Sequence, residues 1–460
     1  MTATPALDLS QHLRVHIVGI GGAAMSAIAT ILTSMGHTVT GSDLQASATL
    51  DRLRATGIDA AVGHDAANVG EGVDLVAISS AVRPTNIEVV TARERGIAVH
   101  SRADVVGAIS ATRRTVAVAG THGKTTTTSM LALILGEAGL RPSFLVGGQL
   151  NRVGSGVAWT DSDLFVVEAD ESDESFLALG AEAVIVTSIE ADHLDHYGSL
   201  AAIEEAFTRF VVDAPGPRVL SADDAGVARV AAFAPDAITY GLSPRATFRI
   251  ADIALERSAV SFTVERGGDP LGAVALPVPG VHNASNATAA IAMAMELGVP
   301  FETAARALAG YAGVARRFEF RGERAGVTFV DDYAHNPGKV QAVLAAARAG
   351  GWRRVVAVFQ PHLYSRTADL AADFGRSFGD ADVVVVTDVY GAREDPRPGV
   401  TGKLVVDAIL NASPGARVVW FPGRVDLARH VRPLLRPGDL CLTLGAGDIT
   451  LLPDELLAGA

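Results

Sequence analysis

The chain has one cysteine, three lysines and no stretch of about 18 uninterrupted apolar residues, and each shortage removes a class of protein. The single thiol, Cys441, forms no disulfide within the chain, which fits a reducing compartment. Within the apolar run Leu440-Cys441-Leu442 it reads as a buried strand residue rather than a reactive group. No membrane span is expected. The apolar stretch from Ile17 to Leu32 lacks a basic leader and is broken by Gly19-Ile20-Gly21-Gly22, so it is no signal peptide, and a cytoplasmic location is expected. Positive charge is short as well: 38 Lys and Arg face 51 Asp and Glu, a net charge of −13. Such a surface repels phosphate backbones, which argues against nucleic acid as a partner and requires that any nucleotide be held by local groups.

What is present is a chain of 460 residues, 49% hydrophobic and 19% charged, too long for one core and polar enough nowhere to be a long disordered tail. Short β-branched runs alternate with alanine-rich segments of helical period, the pattern of parallel sheets with crossover helices. An α/β protein of three domains is therefore expected. Residues 1–112 form a Rossmann-like domain starting at Arg14-Val15-His16-Ile17-Val18. Residues 113–314 form a central domain around a P-loop-type parallel sheet, with a small antiparallel edge between about Ala246 and Pro279. Residues 315–460 form a second Rossmann-like α/β domain with strands at Arg354–Val358, Val383–Val386, Arg417–Trp420 and Leu440–Leu444.

The strongest local signal is Gly120-Thr121-His122-Gly123-Lys124-Thr125-Thr126, which follows a predicted strand and precedes a helix. Glycines let backbone N–H groups approach phosphate oxygens, and the helix N-terminus adds positive potential. In this context Lys124 meets the terminal phosphates of ATP and Thr125 offers a hydroxyl to Mg²⁺. Val118 stands where the generic loop has its first glycine, so the loop is a shortened one. A lysine here also runs against the composition, since Lys124, Lys339 and Lys403 are the only lysines among the 38 basic residues.

Two further strand ends supply acids and imidazoles. Glu168 ends one strand and leads into Ala169-Asp170-Glu171-Ser172-Asp173; the next strand delivers Glu190-Ala191-Asp192-His193 to the same edge. Oxygen ligands suit Mg²⁺, so Glu168 is a candidate metal ligand and His193 a less usual one. Nearer the start, Gly19-Ile20-Gly21-Gly22 opens a helix and Asp43 ends the strand that follows. That fingerprint suits the pyrophosphate of NAD or of UDP equally. His12, His37 and His100 have no such context and read as structural.

Together with Ser79-Ser80-Ala81, His282-Asn283-Ala284-Ser285-Asn286, Arg316-Arg317-Phe318-Glu319, Asp331-Asp332-Tyr333-Ala334-His335, Phe359-Gln360-Pro361-His362 and Gly445-Ala446-Gly447-Asp448, these motifs resemble the Mur ligase family over nearly the whole chain. The resemblance implies ATP- and Mg²⁺-dependent joining of L-alanine to the carboxylate of UDP-N-acetylmuramate through an acyl phosphate, in peptidoglycan precursor synthesis, by a monomer or homodimer. It places Gly21, Gly22, Ser26, Ser42, Asp43 and Ser80 at the UDP substrate. It places the loop Gly120–Thr126 with Asn283, Asn286, Arg317 and Asp332 at ATP, and Thr125, Glu168 and His193 at the metal. Lys124, His193, Arg317, His335 and Arg366 are the implied catalytic groups.

Sibling ligases that add later residues resemble one another in a carbamylated lysine near the metals; with no lysine between Lys124 and Lys339, that device is impossible here. Asn336, Leu363 and Ser188 depart from the family pattern. A recycling ligase taking a murein peptide, an NAD-dependent dehydrogenase and a nucleotide-dependent scaffold remain as alternatives.

Overall fold

A computed structural model describes residues 7–458 apart from Ser80 and Arg393. The β-branched runs become strands and the alanine-rich segments helices, producing three sheets, one for each α/β domain. The first sheet has the strand order Asp59–Val62, Thr38–Asp43, Arg14–Val18, Leu75–Ile78, Ala98–Ser101, and every pairing is parallel. The order reverses at Arg14–Val18, so a crevice opens beyond the carboxyl end of that strand, where the glycine turn lies.

The second sheet has ten strands. Its parallel centre runs Arg218–Ser221, Ala183–Val186, Arg114–Ala119, Leu164–Glu168, Ser143–Leu150. Val116, Ala117, Val118 and Ala119 are all buried, as expected of a strand covered on both faces. One edge consists of Phe248–Leu255, Val260–Arg266 and Asp269–Leu276; the last two are joined by only Gly267 and Gly268, a connection that permits antiparallel pairing alone. The other edge, Ser143–Leu150 against Ser155–Ala158, is also antiparallel and was not foreseen. Its glycines, Gly147, Gly148 and Gly156, hide the strand periodicity.

The third sheet runs Glu319–Arg324, Val327–Asp332, Asp439–Leu444, Arg354–Phe359, Val383–Val386, Val418–Trp420, parallel except for the antiparallel first pair. Cys441 sits at its centre and is buried. Burial pushes its thiol up to about 12. The chain divides into two compact units. One runs to Ile250 and takes in Val264–Gly272 and Ser285–Leu308; the other comprises Ala251–Thr263, Ala273–Ala284 and the chain from Ala309 onward. No described helix is long and apolar enough to cross a membrane.

Candidate active site

In the first unit, the strand Arg114–Ala119 ends at Gly120, and the helix Lys124–Glu137 starts from Gly123. Gly123 has φ +79°, a left-handed conformation that side chains resist, and a Cβ there would lie 2.5 Å from Asn286 Oδ1. Glycine is therefore required twice over: by the turn and by Asn286, which presses on it. The loop is pinned from the neighbouring strand end. Thr121 N donates to Ser188 O at 2.9 Å, His122 N to Ser188 Oγ at 2.9 Å, and Glu190 N to Thr121 Oγ1 at 2.9 Å. His122 Nε2 lies 3.0 Å from Glu190 Oε2. Thr126 is the third residue of the helix, and its carbonyl accepts from Ser129 Oγ at 2.7 Å.

Lys124 Nζ donates to Gly120 O at 2.6 Å and to Glu171 Oε1 at 2.8 Å. Thr125 Oγ1 donates to Glu168 Oε1 at 2.9 Å, and Glu168 Oε2 accepts from Gly147 N at 2.6 Å. An ammonium and a hydroxyl–carboxylate pair thus stand on consecutive residues at the mouth of a glycine turn. These are hard oxygen ligands of the kind Mg²⁺ takes, so Thr125 and Glu168 fit the metal. His193 begins a short helix at φ +55°, with Nε2 3.9 Å from Asp192 Oδ2. Among the described residues no three His, Cys, Asp or Glu side chains gather as a cation site, so His193 is not brought into such a group.

The first-domain turn is braced by acids. Gly21 N donates to Asp43 Oδ2 at 3.0 Å, and a Cβ on Gly21 would come within 2.8 Å of that oxygen. Gly22 precedes the helix Ala23–Ser34, and Ser26 Oγ donates to Ala23 O. Ser42, expected to meet the substrate, turns its hydroxyl inward instead. It is fully buried and donates to Glu88 Oε2 at 2.6 Å, while its carbonyl accepts from Gly19 N and Ile20 N. Ser80 lies outside the described residues.

Glu88 also accepts from Asn68 Nδ2 at 2.6 Å and faces His16 and His64 at 3.6 and 3.2 Å. Burial would raise this carboxyl, but the nearby His16 imidazole and the bonds from Ser42 and Asn68 outweigh it and hold it at about 2. A depressed carboxyl stabilises the fold above its ordinary value near 4.5, and that contribution disappears as pH falls through about 2. The melting-temperature gap between the wild type and Glu88→Gln should therefore be widest above pH 4.5 and close towards pH 2. A gap independent of pH would show that Glu88 is not ionised in the fold.

In the second unit, Arg316 and Phe318 both adopt positive φ, at +61° and +46°, on either side of Arg317. Arg316 is consumed by the carbonyls of Gly445 and Gly447 and by Asp331, whereas the guanidinium of Arg317 lies over Tyr333, 5.3 Å from the ring centre. Asp332 accepts from Phe318 N and Ala334 N; burial raises its carboxyl to about 6, against the pull of Arg317. His335 Nδ1 lies 2.7 Å from Tyr333 O. A carbonyl only accepts, so Nδ1 carries the proton and Nε2 is the accepting nitrogen. Burial, followed by the charges of Lys339 and Arg366, holds His335 well below the ordinary imidazole value, so it is neutral at pH 7. Arg366 Nη1 lies 3.2 Å from His362 Nδ1. Asn283 Nδ2 donates to Pro279 O at 2.7 Å.

Three family models match in sequence: Mur ligase family, catalytic domain, over residues 14–114; Mur ligase middle domain, over 118–294; and Mur ligase, glutamate ligase domain, over 316–447. A UDP-N-acetylmuramate–L-alanine ligase of Rubrobacter xylanophilus is 48% identical over 97% of this chain and 100% of its own length. The chain belongs to the Mur ligase family. A ligase of the same name from Kineococcus radiotolerans is 49% identical over 96% of this chain and 95% of its own. Among solved structures, the UDP-N-acetylmuramate-alanine ligase of Thermotoga maritima aligns with a TM-score of 0.83 at 29% identity, covering 97% and 99% of the two chains. A murein peptide ligase of Psychrobacter arcticus aligns at 0.70 with 26% identity, covering 97% and 98%.

Two of the three departures from the Mur ligase pattern have local roles. Ser188 uses both its carbonyl and its hydroxyl to hold the phosphate loop. Asn336 caps the helix Pro337–Ala349 by accepting from Lys339 N at 3.0 Å. Leu363 starts the helix Tyr364–Asp369 at φ +70°, a strained value for a branched residue, and nothing in the structure explains the choice of leucine. Two participants were missed by sequence reasoning. Glu171 lay in the quoted acidic run, but only strand-end Glu168 was singled out. Glu88 sits 46 positions from Ser42 on a helix with no motif, and no signal in the sequence points to it.

Proposed function

We propose that this protein joins L-alanine to the carboxylate of UDP-N-acetylmuramate at the expense of ATP, in the cytoplasm, as a step of peptidoglycan precursor synthesis. The observation that carries the reading is the pairing at one turn of a lysine ammonium with a threonine–glutamate oxygen pair. The first suits the terminal phosphates of ATP and the second Mg²⁺, and 97% of the chain aligns with a relative named UDP-N-acetylmuramate–L-alanine ligase. In the proposed reaction the muramate carboxylate attacks the γ-phosphorus, ADP leaves, and the alanine amine displaces phosphate from the acyl phosphate, which leaves an amide. No enzyme nucleophile takes part.

Lys124 spreads the charge that develops on the transferred phosphoryl group, and Arg317 and Arg366 stabilise oxyanions at the acyl centre. Mg²⁺, held by Thr125 and Glu168 when bound, neutralises phosphate charge. The amine must lose a proton before it attacks. His335, with Nε2 as its accepting atom, and His193 are the two imidazoles offered for that step.

A coupled ADP-release assay tests the whole reading. ADP should form only when ATP, Mg²⁺, UDP-N-acetylmuramate and an amino acid are all present, with L-alanine the best of a panel that includes glycine and L-serine. One methyl or hydroxyl is worth about 1–3 kcal/mol of discrimination, so the gap should be about 10- to 200-fold. Turnover with a murein tripeptide and none with L-alanine would assign the chain to peptide recycling instead.

A further inference from the structure

Lys124 has an anionic partner of its own, Glu171, which takes no part in the reaction described above. Glu171 is 4% exposed, and its carboxylate accepts from Lys124 Nζ at 2.8 Å while the same ammonium bonds to Gly120 O. The other acids of this segment are engaged elsewhere. Glu168 serves Thr125 and Gly147, while Asp170 and Asp173 take Arg102 at 3.0 and 3.3 Å. The segment cannot drift, because Arg102 holds it on one side and Tyr197 donates its hydroxyl to Glu171 O on the other. Glu171 is thus the acid of the run that bonds the lysine directly. For stability alone such a pair is a poor choice, since apolar residues of similar volume usually do as well as a buried ion pair.

We infer that Glu171 is a positioning residue that competes with nucleotide for Lys124: it holds the ammonium on the loop when the site is empty and reclaims it as product leaves. This rests on the ATP-dependent ligation proposed above. A phosphate and the Glu171 carboxylate are rivals for one ammonium, so entry of the terminal phosphates detaches Lys124 from a buried anion and brings a second anion beside it. Both effects oppose binding. Removing the carboxylate charge should therefore tighten nucleotide binding, the reverse of what loss of a phosphate or metal contact would do.

The test is calorimetric titration of the full-length protein with the magnesium complex of a non-hydrolysable ATP analogue, and separately with AMP, which has no phosphate for Lys124 to meet. Glu171→Gln should bind the analogue roughly tenfold tighter or more and leave AMP affinity unchanged, since each tenfold step needs only about 1.4 kcal/mol. The KM for ATP should fall in the same variant. In a Lys124→Met background, Glu171→Gln should keep only the part of the gain that comes from relieving carboxylate–phosphate repulsion and lose the part that comes from freeing the ammonium.

The wild-type protein supplies an independent reading that no folding defect can spoil. With three lysines, a carbon-13 label at the lysine ε-carbon gives at most three NMR signals, and the Lys124 signal should shift with the analogue but not with AMP. Equal or weaker analogue binding by a folded Glu171→Gln, a gain undiminished in Lys124→Met, or an unmoved Lys124 signal would overturn the competition while the ligation reading stood. If the wild type bound no analogue at all, both would fall.

Discussion

Replacing Lys124 with methionine should lower ADP formation by about 10³-fold or more while the fold persists. Methionine keeps the length and most of the volume of the side chain but removes the only ammonium in the central domain's turn. Single donors aimed at developing charge are worth about 10²–10³ in rate, and cationic groups at a transferring phosphoryl about 10³–10⁵. Lys124 is also the partner of the buried Glu171, so the variant strands a carboxylate. Some stability should be lost, and adding Glu171→Gln should restore it without restoring turnover. Melting curves and the coupled assay, run on the single and double variants, separate the two effects. Appreciable turnover in either would remove Lys124 from the chemistry.

Glu168→Gln should cut the rate at saturating Mg²⁺ by about 10²-fold and weaken the apparent Mg²⁺ affinity by roughly tenfold or more. The carboxylate accepts twice, from Thr125 Oγ1 and from Gly147 N, through its two different oxygens. A glutamine can still accept from Gly147 N with its oxygen and can donate to Thr125 Oγ1 with its nitrogen, so both contacts survive and what is lost is the charge. A carboxylate on a divalent cation also contributes charge that an amide does not. The measurement is the Mg²⁺ dependence of ADP release. A variant with reduced rate but an unchanged Mg²⁺ midpoint would make Glu168 a structural brace for the Gly147 strand.

Much of the fold was legible because parallel strands buried on both faces must be continuous β-branched runs. Arg14–Val18, Ala183–Val186 and Val383–Val386 stand where those runs stand. The phosphate loop was legible for a related reason: a glycine forced into a left-handed turn before a helix leaves a mark that composition cannot imitate. Groups that act through tertiary contacts left no such mark. Ser42 sits in a motif that suggests ligand contact, yet its hydroxyl answers to Glu88, a residue brought near only when the strand Thr38–Asp43 and the helix Ile87–Glu94 pack. The carboxylate of Asp43, expected at the UDP substrate, braces Gly21, a contact that the spacing of the two residues does not announce. His37 and His100, read as structural, are buried, and His37 Nδ1 accepts from Leu13 N.

The lone sulfur at the heart of the last sheet offers a built-in clock. With its thiol raised to about 12 and walled in by Val327, Phe329 and Val356, Cys441 presents no thiolate to an alkylating reagent in the native state. A maleimide added to the intact enzyme can therefore react only after that sheet comes apart. Mass spectrometry of a single adduct, followed over hours, would time the spontaneous opening of this body, with no engineered probe and no second cysteine to confuse the count.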